Sequence, residues 1–153
     1  MNIRTPLAVL LLSLCAGFSV SAAAAETAVN KSLFGGLAID GYDTVAYHLE
    51  QRPVQGKSEF RHQWNGATWQ FASAANLKRF AAEPARYAPQ YGGYCAYAVA
   101  AKNELVGIDP DAYTLVDGKL YLNYSKKIRA QWEASRAQFI TQGDRNWPAL
   151  STK

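Results

Sequence analysis

The stretch Glu59–Phe71 reads EFRHQWNGATWQF and carries the strongest local signal in the chain. Asn65-Gly66 sits between two runs of alternating residues, and both residues tolerate the positive φ of a type I′ turn. A two-residue loop fixes the register, so Trp64 faces Ala67, His62 faces Trp69 and Phe60 faces Phe71. Side chains alternate across a strand, which puts Phe60, His62, Trp64, Ala67, Trp69 and Phe71 on one sheet face. Arg61, Gln63, Thr68 and Gln70 take the other. One histidine therefore belongs to a dense aromatic face.

Downstream, Ser73 has the chemistry of a helix N-cap. The segment AANLKRFAAE then places Leu77, Phe80 and Ala81 on one helical stripe, and Pro84 ends it. A second hairpin is expected in AYTLVDGKLYLNY, turning on Asp117-Gly118, with Tyr113, Leu115, Leu120, Leu122 and Tyr124 on its apolar face. Ser125 caps a last helix whose buried stripe is Ile128, Trp132 and Phe139, with Lys126 and Lys127 in its first turn. Gly143 stops that helix, and NWPAL is a tail packed by Trp147. Upstream, DTVAYH fits either a helical turn capped by Asp43 or a strand. The residues show no internal repeat. Antiparallel hairpins with helices packed on the sheet make an α+β fold, a single small domain.

The chain has 153 residues and a formal charge of +4. Met1-Asn2-Ile3-Arg4, the apolar run PLAVLLLSLCAGFSV and the small residues SAAAAE form the pattern of a secretory signal peptide, with cleavage after Ala25 and Ala23 as the neighbouring choice. The run is short for a membrane span, which needs about 20 residues. Leu14 before Cys15 argues against lipidation. Removing residues 1–25 leaves 128 residues with a charge of +3 and no second apolar run. The expectation is an exported, periplasmic protein without a membrane span, and mild, dispersed charge does not suggest a nucleic-acid partner. Residues 26–35 read as a loose N-terminal arm. Cys15 leaves with the signal, so Cys95 has no intramolecular disulfide partner.

The segments GYDTVAYH, WNGATWQFASAANLKRFAAEPARYAPQYGGYCAYAVA, DGKLYLNYSKKIRAQWE and NWPAL resemble the exported YHS domain proteins of bacteria. The resemblance covers residues 36–150 and implies a YHS-like domain there. The wider group includes metal-handling modules attached to metal-transporting ATPases, in which a strand ending F-C-S-x-x-C supplies two metal-binding cysteines. This chain has Phe71-Ala72-Ser73-Ala74-Ala75-Asn76 in that place, so the ligands of that site are missing.

The candidate chemistry centres on QYGGYCAYAVA, residues 90–100. Cys95 is a reactive thiolate, a soft-metal ligand or a small buried hydrophobe. Cys95, His62 and His48 together would suit Cu or Zn, although their spacing is no metal signature and the only methionine is Met1. Asp40, Asp43, Asp109 and Asp111 fit turn and cap chemistry as well as chelation. No hydrolase, zinc-protease, P-loop or dinucleotide motif is present. The expected ligand site is a pocket in which Gly92 and Gly93 clear space and Tyr91, Tyr94 and Tyr97 form walls around Cys95, with the Trp69–His62 face opposite. The functions to weigh are a non-catalytic binding module for a soft metal or small molecule, a thiol enzyme or sensor using Cys95, and an interaction domain without a ligand.

Overall fold

A computed structural model describes residues 26–153. The signal-like residues 1–25, with the export and cleavage expected of them, lie outside the described residues. The elements run α1 (Thr44–Leu49), β1 (Lys57–Trp64), β2 (Ala67–Phe71), α2 (Ala74–Ala82), α3 (Pro84–Tyr87), α4 (Ala96–Lys102), β3 (Asp109–Val116), β4 (Lys119–Asn123), α5 (Lys126–Ala134) and α6 (Arg136–Leu150). Short 3-10 turns at Ile39–Gly41 and Gln90–Gly93 precede α1 and α4. The result is the expected α+β class, with two separate two-stranded antiparallel sheets among the described residues.

Both hairpins turn where the sequence places them. Asn65 and Gly66 have φ of 50° and 68°, and Asp117 and Gly118 have 50° and 73°. The pairs Trp64–Ala67 and His62–Trp69 form in register. Phe60 and Phe71 do not pair: an irregularity between Lys57 and Arg61 shifts the ladder, so Phe71 lies opposite Lys57. An irregularity of this kind adds residues to one strand and bends it. Ser73 and Ser125 cap their helices, accepting from the backbone N–H of Asn76 (3.1 Å) and Ile128 (3.2 Å). The DTVAYH ambiguity resolves as a helix, because Asp43 Oδ1 accepts from Val45 N–H (2.9 Å) and Ala46 N–H (3.1 Å).

Four local expectations change. Asn76, not Ala81, joins Phe80 on the buried stripe of α2; Ala81 is exposed. Ser135 breaks the last helix into α5 and α6, with its backbone at φ −137°. Gly143 does not stop α6, which runs on to Leu150. A Cβ at Gly143 would lie 2.5 Å from the Tyr91 hydroxyl, so this glycine lets a tyrosine lie against the helix. The arm at 26–35 is tied down in part. Ala28 N–H donates to Ser151 O (2.8 Å), Asn30 N–H donates to Gly92 O (2.9 Å), and Val29 is buried. At its tip the apolar side chains of Leu33 and Phe34 stand in solvent.

The structure also contains a repeat that the residue pattern hides. A constant 52 positions separates Thr44 from Ala96, Lys57 from Asp109, Ala67 from Lys119, Ala74 from Lys126 and Pro84 from Arg136, the first residues of matching elements. Backbone conformation repeats with the same offset. Ile39, Asp40 and Gly41 have φ of 51°, 51° and 78°; Tyr91, Gly92 and Gly93 have 54°, 58° and 79°. Hydrogen bonds repeat too: Asp43 N–H donates to Val54 O (2.8 Å), and Cys95 N–H to Val106 O (2.9 Å).

Two cores follow from the two halves. The first gathers Ile39, Val45, Tyr47, Trp69, Phe71 and Phe80, together with Leu120 and Leu122 from the second hairpin. The second gathers Tyr91, Ala96, Val99, Tyr121, Trp132 and Leu150. β4 therefore faces a core on each side, and its sequence, KLYLN, is nearly continuous in apolar residues where β2 alternates. A strand covered on both faces reads that way.

Candidate functional site

The single pocket expected around Cys95 is three separate concavities. The first, about 420 Å³, lies where the two halves meet. Trp64 and Trp69 reach it from the first hairpin, Tyr91 and Gly92 from the 3-10 turn, and Asp144 and Trp147 from α6. The second, about 330 Å³, opens on Cys95, Tyr97, Lys102, Val106, Tyr124 and Ile128. The third holds Tyr94 beside the N-terminal segment, with the Tyr94 hydroxyl donating to Val29 O (3.2 Å). So the structure groups Trp69, Tyr91 and Gly92, groups Cys95 and Tyr97 elsewhere, and sends Tyr94 to a third place.

The glycines have a different task from the expected one. A Cβ on Gly93 would sit 2.1 Å from Ile39 Cδ1, and one on Gly92 would sit 2.0 Å from Ala28 O. With φ of 79° and 58°, both positions also need a residue at ease in the left-handed region. They let the protein's own backbone and core approach, and neither clears space around Cys95.

Cys95 is buried, 1% exposed, at the N-cap position of α4. Its Sγ accepts from Tyr124 N–H (3.3 Å) and lies 3.6 Å from Asn123 Oδ1, to which the thiol donates. Asn123 Oδ1 also accepts from Tyr97 N–H (3.1 Å). The repeat explains this environment. Asp43 is the residue 52 positions earlier, and its Oδ2 accepts from Ala72 N–H (2.8 Å), the counterpart of Tyr124 N–H. Cys95 is thus placed as the second half's version of an internal backbone anchor. His48 packs edge-on against Tyr87, with burial holding its pKa below the usual histidine value. His62 packs on Phe80 at 6.1 Å between ring centres. The structure does not bring Cys95, His62 and His48 together as a set. Among the described residues, no group of three or more His, Cys, Asp or Glu side chains is close enough to hold a metal ion.

The position where the resemblance implies metal-binding cysteines can be tested directly. Ala72 and Asn76 stand there, and both are already engaged by Asp43: its Oδ2 accepts from Ala72 N–H and from Asn76 Nδ2 (2.7 Å). A methyl group, and a side-chain amide already bonded to an internal carboxylate, do not fit a soft metal, which selects thiolates. Asp109 Oδ1 accepts from Asp111 N–H (2.9 Å), the turn chemistry expected of it.

Sequence reasoning missed Trp64, Asp144 and Trp147 as groove residues. Asp144 and Trp147 are three residues apart and share one face of α6, but the expected stop at Gly143 removed the helix on which that spacing has meaning. The Tyr91 hydroxyl donates to Asp144 Oδ1 (2.9 Å), with Ile140 O as a second acceptor at 3.2 Å. Burial, then Asp144, raises the Tyr91 pKa, so the phenol stays protonated and donates.

Fold and groove define a small α+β module of two hairpin–helix halves that meet at an aromatic-walled concavity. A family model for the YHS domain matches residues 45–91, so the chain carries a YHS domain there. That span ends at Tyr91, inside the 3-10 turn Gln90–Gly93 that precedes α4. No curated protein matches the chain, and no solved structure matches it.

Proposed function

We propose that this protein is a non-catalytic binding module built on its YHS domain, exported to the periplasm by the signal-like residues 1–25, and that a small molecule binds in the groove between its halves. The observation that carries this reading is the concavity of about 420 Å³ walled by Trp64, Tyr91 and Trp147. Ligand sites are commonly concave, largely apolar and of about 300–1,000 Å³, with a few polar groups. Tyr91 supports the reading further. Its ring is buried at the groove and stands 5.9 Å from that of Trp147, so the wall is built from packed aromatic groups. A catalytic role for Cys95 gains no support from its neighbours, an amide oxygen and a peptide N–H, since neither is a base for a thiol.

The test is a tryptophan-fluorescence and thermal-shift screen with small cationic, anionic and neutral solutes, on wild type and Trp147→Ala. Saturable binding of any class that Trp147→Ala abolishes supports the groove. Absence of saturable binding in all three classes overturns it.

The cavity of about 330 Å³ that reaches Cys95 favours a second reading, a soft transition metal such as Cu or Zn, or a small thiophilic ligand, held there. Titration with Cu(I), Zn(II) and Ni(II), wild type against Cys95→Ser, separates the two. Equal binding to both proteins removes the Cys95 reading and leaves the groove untouched.

A further inference from the structure

We infer that the groove between the halves selects a small organic cation, a quaternary or protonated amine. This rests on the groove being the binding site. Among the lining residues the only formally charged side chain is Asp144; no Lys, Arg or His lines it. Two basic residues adjoin lining residues in the chain, Arg86 and Arg145. Arg86 is turned away, with its guanidinium on Glu83 (3.1 Å) and over the Tyr87 ring (5.4 Å), and Arg145 forms no ion pair with Asp144. The electrostatics of the lining are therefore negative in a chain whose formal charge is +4.

The walls match that sign. Trp147 and Tyr91 have ring centres 5.9 Å apart, and Trp64 reaches the groove from the first hairpin. Indole and phenol faces attract a cation within about 6 Å of the ring centre, and tryptophan does so best. Asp144 stands one helical turn before Trp147, so the carboxylate and the indole flank Tyr91 from the same helix. Tyr91 occupies only Oδ1 of that carboxylate, and no ion pair among the described residues engages Asp144.

The remaining polar lining argues against a sugar or another ligand that needs many hydrogen bonds. Asn65 and Thr27 satisfy each other: Thr27 N–H donates to Asn65 Oδ1 (2.9 Å), and Asn65 Nδ2 donates to Thr27 O (3.2 Å) and Oγ1 (2.9 Å). The Tyr91 hydroxyl is spent on Asp144. That leaves the second Asp144 oxygen and Gln90, which suits a cation with one polar end and an apolar body. A quaternary ammonium meets this best, because it offers charge and methyl groups and asks for no acceptor.

The test titrates the protein with choline, tetramethylammonium and putrescine against the neutral isostere 3,3-dimethylbutan-1-ol, reading tryptophan fluorescence. At least one cation is expected to bind saturably, and choline at least about tenfold tighter than its neutral isostere, the ratio set by a single favourable charge contact. Asp144→Asn keeps an oxygen for the Tyr91 hydroxyl and is expected to weaken cation binding about tenfold while leaving the melting temperature in place. Trp147→Phe keeps a ring and is expected to weaken it less than Trp147→Ala does. Binding of the isostere as tight as choline, or cation binding unchanged in Asp144→Asn, overturns the cation. If a neutral or anionic solute binds instead and Trp147→Ala abolishes it, the cation is wrong and the groove stands. Silence from all probes overturns both.

Discussion

Asp43 and Cys95 stand 52 positions apart, each directly after a tyrosine that follows a left-handed turn, and each at the N-cap of a short helix. The backbone around them repeats closely: φ and ψ are −75° and 105° at Asp43, and −57° and 113° at Cys95. The chemistry does not repeat. Asp43 is fully buried, and its carboxylate accepts four hydrogen bonds, from Val45, Ala46 and Ala72 N–H and from Asn76 Nδ2. Cys95 accepts only Tyr124 N–H, and the counterpart of Asn76 is Ile128, which has no polar end. The first half closes its anchor with a polar network. The second leaves a cavity of about 330 Å³ beside a sulfur. A duplicated backbone thus holds one sealed position and one open one.

The largest effect is expected from Gly93→Val. Its Cβ would overlap Ile39 Cδ1 at 2.1 Å, in the other half's turn, at a φ of 79°. A β-branched residue there combines overpacking with left-handed strain, and a loss above about 4 kcal/mol is expected, seen as failure to fold or a collapsed urea midpoint. Gly118→Ala is the control: φ is 73°, yet nothing lies within 4 Å of the new Cβ. Its cost is expected to be about 1–2 kcal/mol, the backbone term alone. Equal losses for the two would break the claim that the glycine turns hold the halves together.

Next comes the anchor pair. Asp43→Ala strands four donors beneath the surface and is expected to cost about 3–5 kcal/mol. Cys95→Ala strands one N–H and opens a small void, for about 1–2 kcal/mol. Chemical denaturation of both variants checks the ratio, and a Cys95→Ala loss matching Asp43→Ala would show that the sulfur carries a larger share than its contacts indicate. The caps sharpen the comparison from the other side. Ser73→Ala and Ser125→Ala remove the same bond in the same place and are each expected to cost about 1 kcal/mol. A difference between them well beyond that size would mean that the halves differ in stability where their geometry agrees.

The smallest effect is a slope with pH. Burial against Tyr87 lowers the His48 pKa from its usual value of about 6.5, and the backbone of Tyr87 only partly offsets this. The unfolded chain therefore binds the proton more readily than the folded one. Stability is full above the unfolded pKa and falls as pH drops through about 6.5 toward the lower folded value. The corresponding residue in the second half is Ala100, so the slope belongs to the first half alone. Denaturation midpoints between pH 7.5 and 5 are expected to fall in wild type and to fall less in His48→Gln; parallel curves would remove His48 as the cause.

Much of the fold was legible in the residues because its signals are local. Asn65-Gly66 and Asp117-Gly118 need φ > 0, and Ser73 and Ser125 need only the N–H three residues on. Strand alternation assigned Trp69 and Phe71 to the core without reference to anything distant. The repeat was nearly legible: the turn glycine precedes the cap serine by seven positions in both halves, Gly66 to Ser73 and Gly118 to Ser125. It stayed hidden because most paired positions carry different side chains, such as Asp43 with Cys95 and Phe71 with Asn123. Backbone hydrogen bonds and dihedrals tolerate that divergence, and pattern comparison does not.

Local residue pattern suffices for the two hairpins, their capped helices, the α+β class and the aromatic wealth of the first sheet face. Which aromatic residues meet depends on long-range packing. Tyr91, Tyr94 and Tyr97 lie within seven residues and line three different concavities: φ of 54° to 79° across Tyr91–Gly93 turns the chain between the first two, and the start of α4 at Ala96 redirects it between Tyr94 and Tyr97. Trp64 and Trp147 are 83 positions apart and line one groove, brought there by the packing of α6 against Tyr91 through Gly143. Contacts across that distance depend on how two cores share the strand β4, and no window of local sequence contains that information.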